Sequence, residues 1–202
     1  MKMTKNLTIA VALVACGTML LGSCRGKTGT SVGNDSVAMN PDDTVAVERP
    51  ATIIEVVDNY LVEEFGKQYA QADVCIPFST VVATDETDDQ DIKVWGDFWV
   101  FNYNIAGDTL KTASGGSHPG LIHLKKGDKG YEVTGFDQVG DGSRYDPTAK
   151  KIFGEHYEAF HKINSNSEER EKFRAQGIAE YVKKHDIKAT MYQDYGWPAV
   201  KL

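Results

Sequence analysis

The sequence predicts an α+β domain: a long N-terminal helix packed on a four-stranded antiparallel meander sheet, with two C-terminal helices. Three observations carry that expectation. An apolar residue recurs at every fourth position shortly after Pro50, four strand-like runs follow with glycine-bearing links between them, and two helical stripes close the chain.

Ile53, Val57, Leu61, Phe65 and Tyr69 form the first stripe, widened by Ile54 and Tyr60. Pro50 opens this helix, at an early position where a missing N–H costs nothing. The strand runs cover residues 74–83, 92–105, 109–124 with a break, and 131–139. Between them lie an acidic loop (85–91), the turn Ala106-Gly107-Asp108 and a turn over 127–130, all short enough for antiparallel hairpins. Asp146-Pro147 reads as an N-cap followed by a first-turn proline, ahead of the stripe Ala149, Ile152, Phe153, His156, Phe160 and Ile163. Ser165 with Glu168 makes a capping box for a second helix carrying Phe173, Ile178, Tyr181 and Val182. The aromatic tail 191–202 is expected to pack back on the domain.

This order of elements resembles the cystatin-like and nuclear-transport-factor-2-like superfamily, which implies a sheet wrapped around one long helix. Residues 114–154 are also similar to a secreted domain found in extracytoplasmic parts of Gram-positive proteins. The shared features are a glycine-serine stretch before Pro119, a Lys-Gly-Asp turn, the Asp141-Gly142-Ser143 turn and the closing Ile152-Phe153 helix. Neither resemblance implies a catalytic residue.

Ahead of the domain, Lys2 and Lys5 precede an almost wholly apolar or small stretch over residues 7–21. A membrane-spanning helix needs about 20 apolar residues, so the layout is that of a cleaved secretory signal. Leu21-Gly22-Ser23-Cys24 then resembles the lipobox of bacterial lipoproteins. The resemblance implies removal of residues 1–23 as a signal peptide and lipidation of Cys24. Several acyl chains on one residue, each methylene contributing about 0.8 kcal/mol, would anchor the chain stably in a membrane. Arg25, rather than aspartate, follows the cysteine; by the lipoprotein sorting rule this points to the outer membrane and its periplasmic face, with surface display left open. Residues 24–49, rich in Gly, Ser, Thr, Asn and Asp without an apolar period, read as a tether, leaving residues 50–202 as a single domain.

The formal charge is −7, and −9 once Lys2 and Lys5 are removed. That balance argues against nucleic acid as a partner. Cys16 leaves with the signal and Cys24 carries lipid, so Cys75 is alone and forms no intramolecular disulfide; among Val74, Ile76 and Phe78 it suits a small core hydrophobe.

Strand 92–105 is the most unusual segment. Trp95, Trp99, Phe101 and Tyr103 share one parity with Ile105, while Val94, Phe98 and Val100 share the other. Apolar residues on both faces predict a central strand covered on both sides. The alternative is that Trp95, Trp99, Phe101 and Tyr103 line a ligand cavity. The Ser114–Gly120 stretch reads as a bulge, because Pro119 stands where a nucleophile elbow needs its second glycine. Loop 85–91 lacks the glycine and glutamate of a calcium loop and reads as solvated. Gly26-Lys27-Thr28 lacks the spacing and flanking elements of a phosphate loop, so no cofactor is expected. Nor do His118, His123, His156, His161 and His185 show metal-ligand spacing. The one catalytic arrangement on offer is an acid–base pair of His123 and Asp137, brought together by adjacent strands. The chain is therefore expected to be a non-catalytic domain held at the membrane by its lipid and binding a small molecule or an envelope protein. A small hydrolase or isomerase built on His123 and Asp137 is the alternative.

Overall fold

The structure, a computed structural model, describes residues 51–202. The expected signal peptide, Cys24, the expected tether and Pro50 lie outside the described residues. The domain is α+β, in the order α1 (Ile53–Glu64), β1 (Val74–Asp85), β2 (Ile92–Ala106), β3 (Thr109–Gly127), β4 (Gly130–Gln138), α2 (Tyr145–Phe153), α3 (Tyr157–Asn164), α4 (Ser167–Lys184), β5 (Met191–Gln193) and β6 (Val200–Lys201). Among the described residues no helix is long and apolar enough to cross a membrane.

The sheet is mixed and has six strands, where four antiparallel ones were expected. β2 pairs antiparallel with β1 on one side and with β3 on the other. The outer edge of β3 is shared: β4 pairs antiparallel along residues 120–127, and β5 pairs parallel along Thr109–Lys111. β6 then pairs with β5. The tail thus joins the sheet: after α4 the chain turns at Asp186, φ +53, and comes beside Asp108, whose carbonyl accepts from the N–H groups of Thr190 and Met191.

α1 is shorter than its stripe predicts. It starts at a Thr52/Glu55 capping box and ends at Glu64. The chain beyond it is held by side chains that take its carbonyls out of the helical ladder: buried Asn102 on β2 donates to Gly66 O at 3.1 Å and Ala70 O at 3.0 Å. Phe65 and Tyr69 still face the core, but from a turn. The predicted 146–163 helix is likewise two helices, α2 and α3, because Gly154 adopts φ +50 and breaks the ladder. Asp146 does not cap; it lies in the first turn and accepts from Lys150 and the Tyr157 hydroxyl. α4 is capped by Asn166, which accepts from Glu169 N, one residue on from the expected box.

The even-numbered face of β2 (Val94, Phe98, Val100) packs with Val57 and Leu61 of α1. On the odd-numbered face, Tyr103 joins Ile178 and Val182 of α4, and Trp95 joins Phe153 and Phe160 of α2 and α3. One helix covers one face and three cover the other, which is what a strand apolar on both sides requires. α4 comes very close to β1: a Cβ on Gly177 would lie 2.6 Å from the Phe78 Cβ.

Candidate functional site: the open edge of strand β3

β4 occupies the outer edge of β3 only as far as Gly120, and β5 only as far as Lys111. Residues 112–119 between them have no strand partner on that edge among the described residues. Pro119 sets which groups point there. It has no N–H, and its carbonyl accepts from Val139 N at 2.9 Å outside the β2–β3 ladder. Antiparallel pairing alternates, so Ser117 and Gly115 also turn their main-chain groups outward, while His118 and Gly116 turn theirs toward β2. Glycine is required here. Gly115 has φ +139, and a Cβ on it would stand 2.4 Å from Val100 O.

Polar side chains flank the opening on both faces. On the side of α2–α4, Ser117 Oγ donates to Asp97, whose residue is only 3 % exposed. Burial raises the Asp97 carboxyl, against the opposing pull of Ser117 and Arg170. The Arg170 guanidinium lies 3.6 Å from Asp97 Oδ2 and 4.6 Å over the Trp99 indole. Its Nε is buried and has no hydrogen-bond partner among the described residues. Tyr145, held by the Asn164 amide, borders the same cluster.

On the side of α1, His118 is 7 % exposed, with Nδ1 3.0 Å from the Gln138 amide nitrogen and Nε2 3.2 Å from the Tyr69 hydroxyl. The amide nitrogen can only donate, so Nδ1 accepts and Nε2–H donates, which fixes a neutral tautomer. The Phe65 ring meets it at 4.4 Å in a tilted arrangement, and burial lowers the imidazole's pKa. At the tail end of the opening the Tyr195 hydroxyl donates to Ala113 O, and Tyr195 and Trp197 stand 68 % and 71 % exposed.

A second arginine closes the neighbouring layer. Arg174, one turn after Arg170, is 4 % exposed and donates to both carboxylate oxygens of Asp194, to Tyr103 Oη and to Thr112 Oγ1. Its guanidinium also covers the Phe101 ring at 4.2 Å. Phe173, expected in the core, is exposed instead. The stripe misassigns this pair because a buried guanidinium needs acceptors, and the acceptors come from Asp194 in the tail.

The aromatics of β2 are engaged by helices. Trp95 donates its indole N–H to Ile152 O at 2.9 Å and meets His156 at 4.7 Å. Trp99 stacks on Phe78 at 5.2 Å beneath Arg170, Phe101 lies under Arg174, and Tyr103 is fully buried. His123 Nε2 lies 3.6 Å from Asp137 Oδ2, and its Nδ1 lies 2.7 Å from Asp91 Oδ1. Asp91, which also pairs with Lys93 at 3.0 Å, completes a carboxylate–imidazole–carboxylate row that the sequence reading missed. Among the described residues no group of His, Cys, Asp or Glu is arranged to hold a metal ion. Two other acidic loop residues serve their own turns, Asp85 accepting from Thr87 and Asp88 from Gln90, while Asp89 faces Lys126 at 3.7 Å.

Compared with known protein families, curated proteins and solved structures, the chain matches none.

Proposed function

We infer that this protein is a cell-envelope lipoprotein whose domain binds a ligand or protein partner without catalysis, with the open edge of β3 as its binding surface. The observation that carries the binding reading is the run 112–119, where outward main-chain groups lack a strand partner between β4 and β5 among the described residues. Sheet edges of this kind are normally blunted or covered, and an open one is a ready template for another chain. The lipoprotein reading rests on Leu21-Gly22-Ser23-Cys24 and the apolar stretch before it. A helix packed on a consecutive run of strands keeps a cystatin-like or nuclear-transport-factor-2-like relationship as part of the proposal. The test uses the full chain in cells. A photoreactive side chain at Ser114 should give an adduct that excess unlabelled protein competes away, while the same group at Lys129 on the β3–β4 turn should not. Equal or absent adducts from the two positions contradict the binding reading. Cys24→Ala should move the protein out of the membrane fraction.

A catalytic reading is favoured by one observation, the placement of His123 between Asp91 and Asp137. Asp91 would orient the imidazole and Nε2 would exchange the proton. His123→Gln should then abolish any esterase or isomerase turnover found by substrate screening. Turnover unchanged in that variant rules the site out.

A further inference from the structure

We propose that the open edge of β3 accepts an extended peptide as an added strand, and that the peptide carries a carboxylate side chain which Arg170 receives. The proposal rests on the binding reading above and names its partner.

The opening has the dimensions of a strand. Eight residues, 112–119, separate the β5 and β4 pairings. At about 3.3 Å per residue this stretch accommodates a short segment of four or five residues, paired through Ser117 and Gly115. Main-chain bonding supplies affinity in such strand addition, and pockets for alternate side chains supply specificity.

Arg170 determines the side chain. Its guanidinium lies over Trp99 at 4.6 Å, beside the Asp97 carboxylate that Ser117 also reaches, on the face of the sheet under α4. Nε is unpartnered in both Arg170 and Arg174 among the described residues, so the difference lies in the terminal donors: Asp97 at 3.6 Å is too far for a hydrogen bond, which leaves those of Arg170 oriented but unfilled. Arg174 on the same helix shows the filled state, with both carboxylate oxygens of Asp194 bound. A planar fork of this kind matches a carboxylate. Residue 30 % exposure at the Arg170 side chain leaves it within reach of a ligand. Exposed Tyr195, anchored at Ala113 O, supplies apolar contact at one end.

The test uses the isotope-labelled full chain and two synthetic peptides, acetyl-Thr-Val-Glu-Val-Thr-amide and its Gln counterpart. The Glu peptide should shift the Gly115 and Ser117 amides saturably. The Gln peptide should bind about tenfold more weakly or worse, as expected for losing a charged hydrogen bond. Arg170→Gln should erase that difference. A Glu peptide N-methylated at alternate positions should not bind, a control that leaves the protein unaltered. Failure of both peptides at millimolar concentration, equal binding of the two, or shifts confined to residues away from 112–119 would overturn the proposal. So would N-acetylglutamate binding as tightly as the Glu peptide, since the site would then be for a free carboxylate. A competed adduct at Ser114 with no response to either peptide leaves the binding reading standing and removes only this one.

Discussion

Two titratable groups, half-buried Asp58 and buried His118, give the domain opposite responses to pH. Asp58 on α1 accepts from Ser79 Oγ at 3.2 Å, and burial pushes its carboxyl up to about 6. A carboxyl raised above its unfolded value contributes most at low pH, so this contribution is lost as pH climbs from about 4 to about 6. Asp58→Asn should remove that loss and raise stability at neutral pH by about 2 kcal/mol, read by denaturant unfolding at both ends of the window. His118 works the other way. Burial lowers its pKa, so its contribution is complete above about 6.5 and declines as pH falls below that. His118→Gln should flatten the acid limb of the stability profile. Cys75 is pushed up to about 11 by burial, so its thiol should resist alkylation at pH 8 in the native state and react on unfolding. At this scale the sequence was partly legible. His123 and Asp137 could be paired because adjacent strands and parity bring them together. Asp91 could not, since its role depends on where the 85–91 loop enters β2. Tyr69 was legible as apolar stripe but not as the partner of His118, which needs the chain to leave the helix at Glu64.

Elements show where periodicity stops being informative. The strand runs are visible because β-branched and aromatic residues alternate between turns. Helix ends depend instead on side chains elsewhere, such as Asn102 capturing the carbonyls of Gly66 and Ala70. The α4 stripe assigned Phe173 inward and overlooked Arg174, whose acceptor sits on the tail. Arg174→Met should cost about 3 kcal/mol, because it strands Asp194, and Arg174→Met with Asp194→Asn should recover part of that. Gly115→Ala places a Cβ against Val100 O at a left-handed backbone position. It should cost about 3 kcal/mol in thermal or denaturant unfolding, whereas the same change at Gly107, where a Cβ meets nothing within 4 Å, should cost less.

For the whole molecule, the apolar character of both faces of β2 foretold helices on both sides. The packing of α1 against one face and α2–α4 against the other matches that physical requirement. What no pattern revealed was the division of the β3 edge, because β5 is only three residues long and pairs parallel with a strand far back in the chain. The opening at 112–119 is a consequence of that division, and the binding account depends on it. Native-state hydrogen exchange at single-residue resolution tests it directly. Alternating protection is expected, with the amides of Gly116 and His118 slow and those of Gly115 and Ser117 fast. Uniformly slow exchange from Gly115 through His118 would mean that the edge is already covered, and would contradict the account.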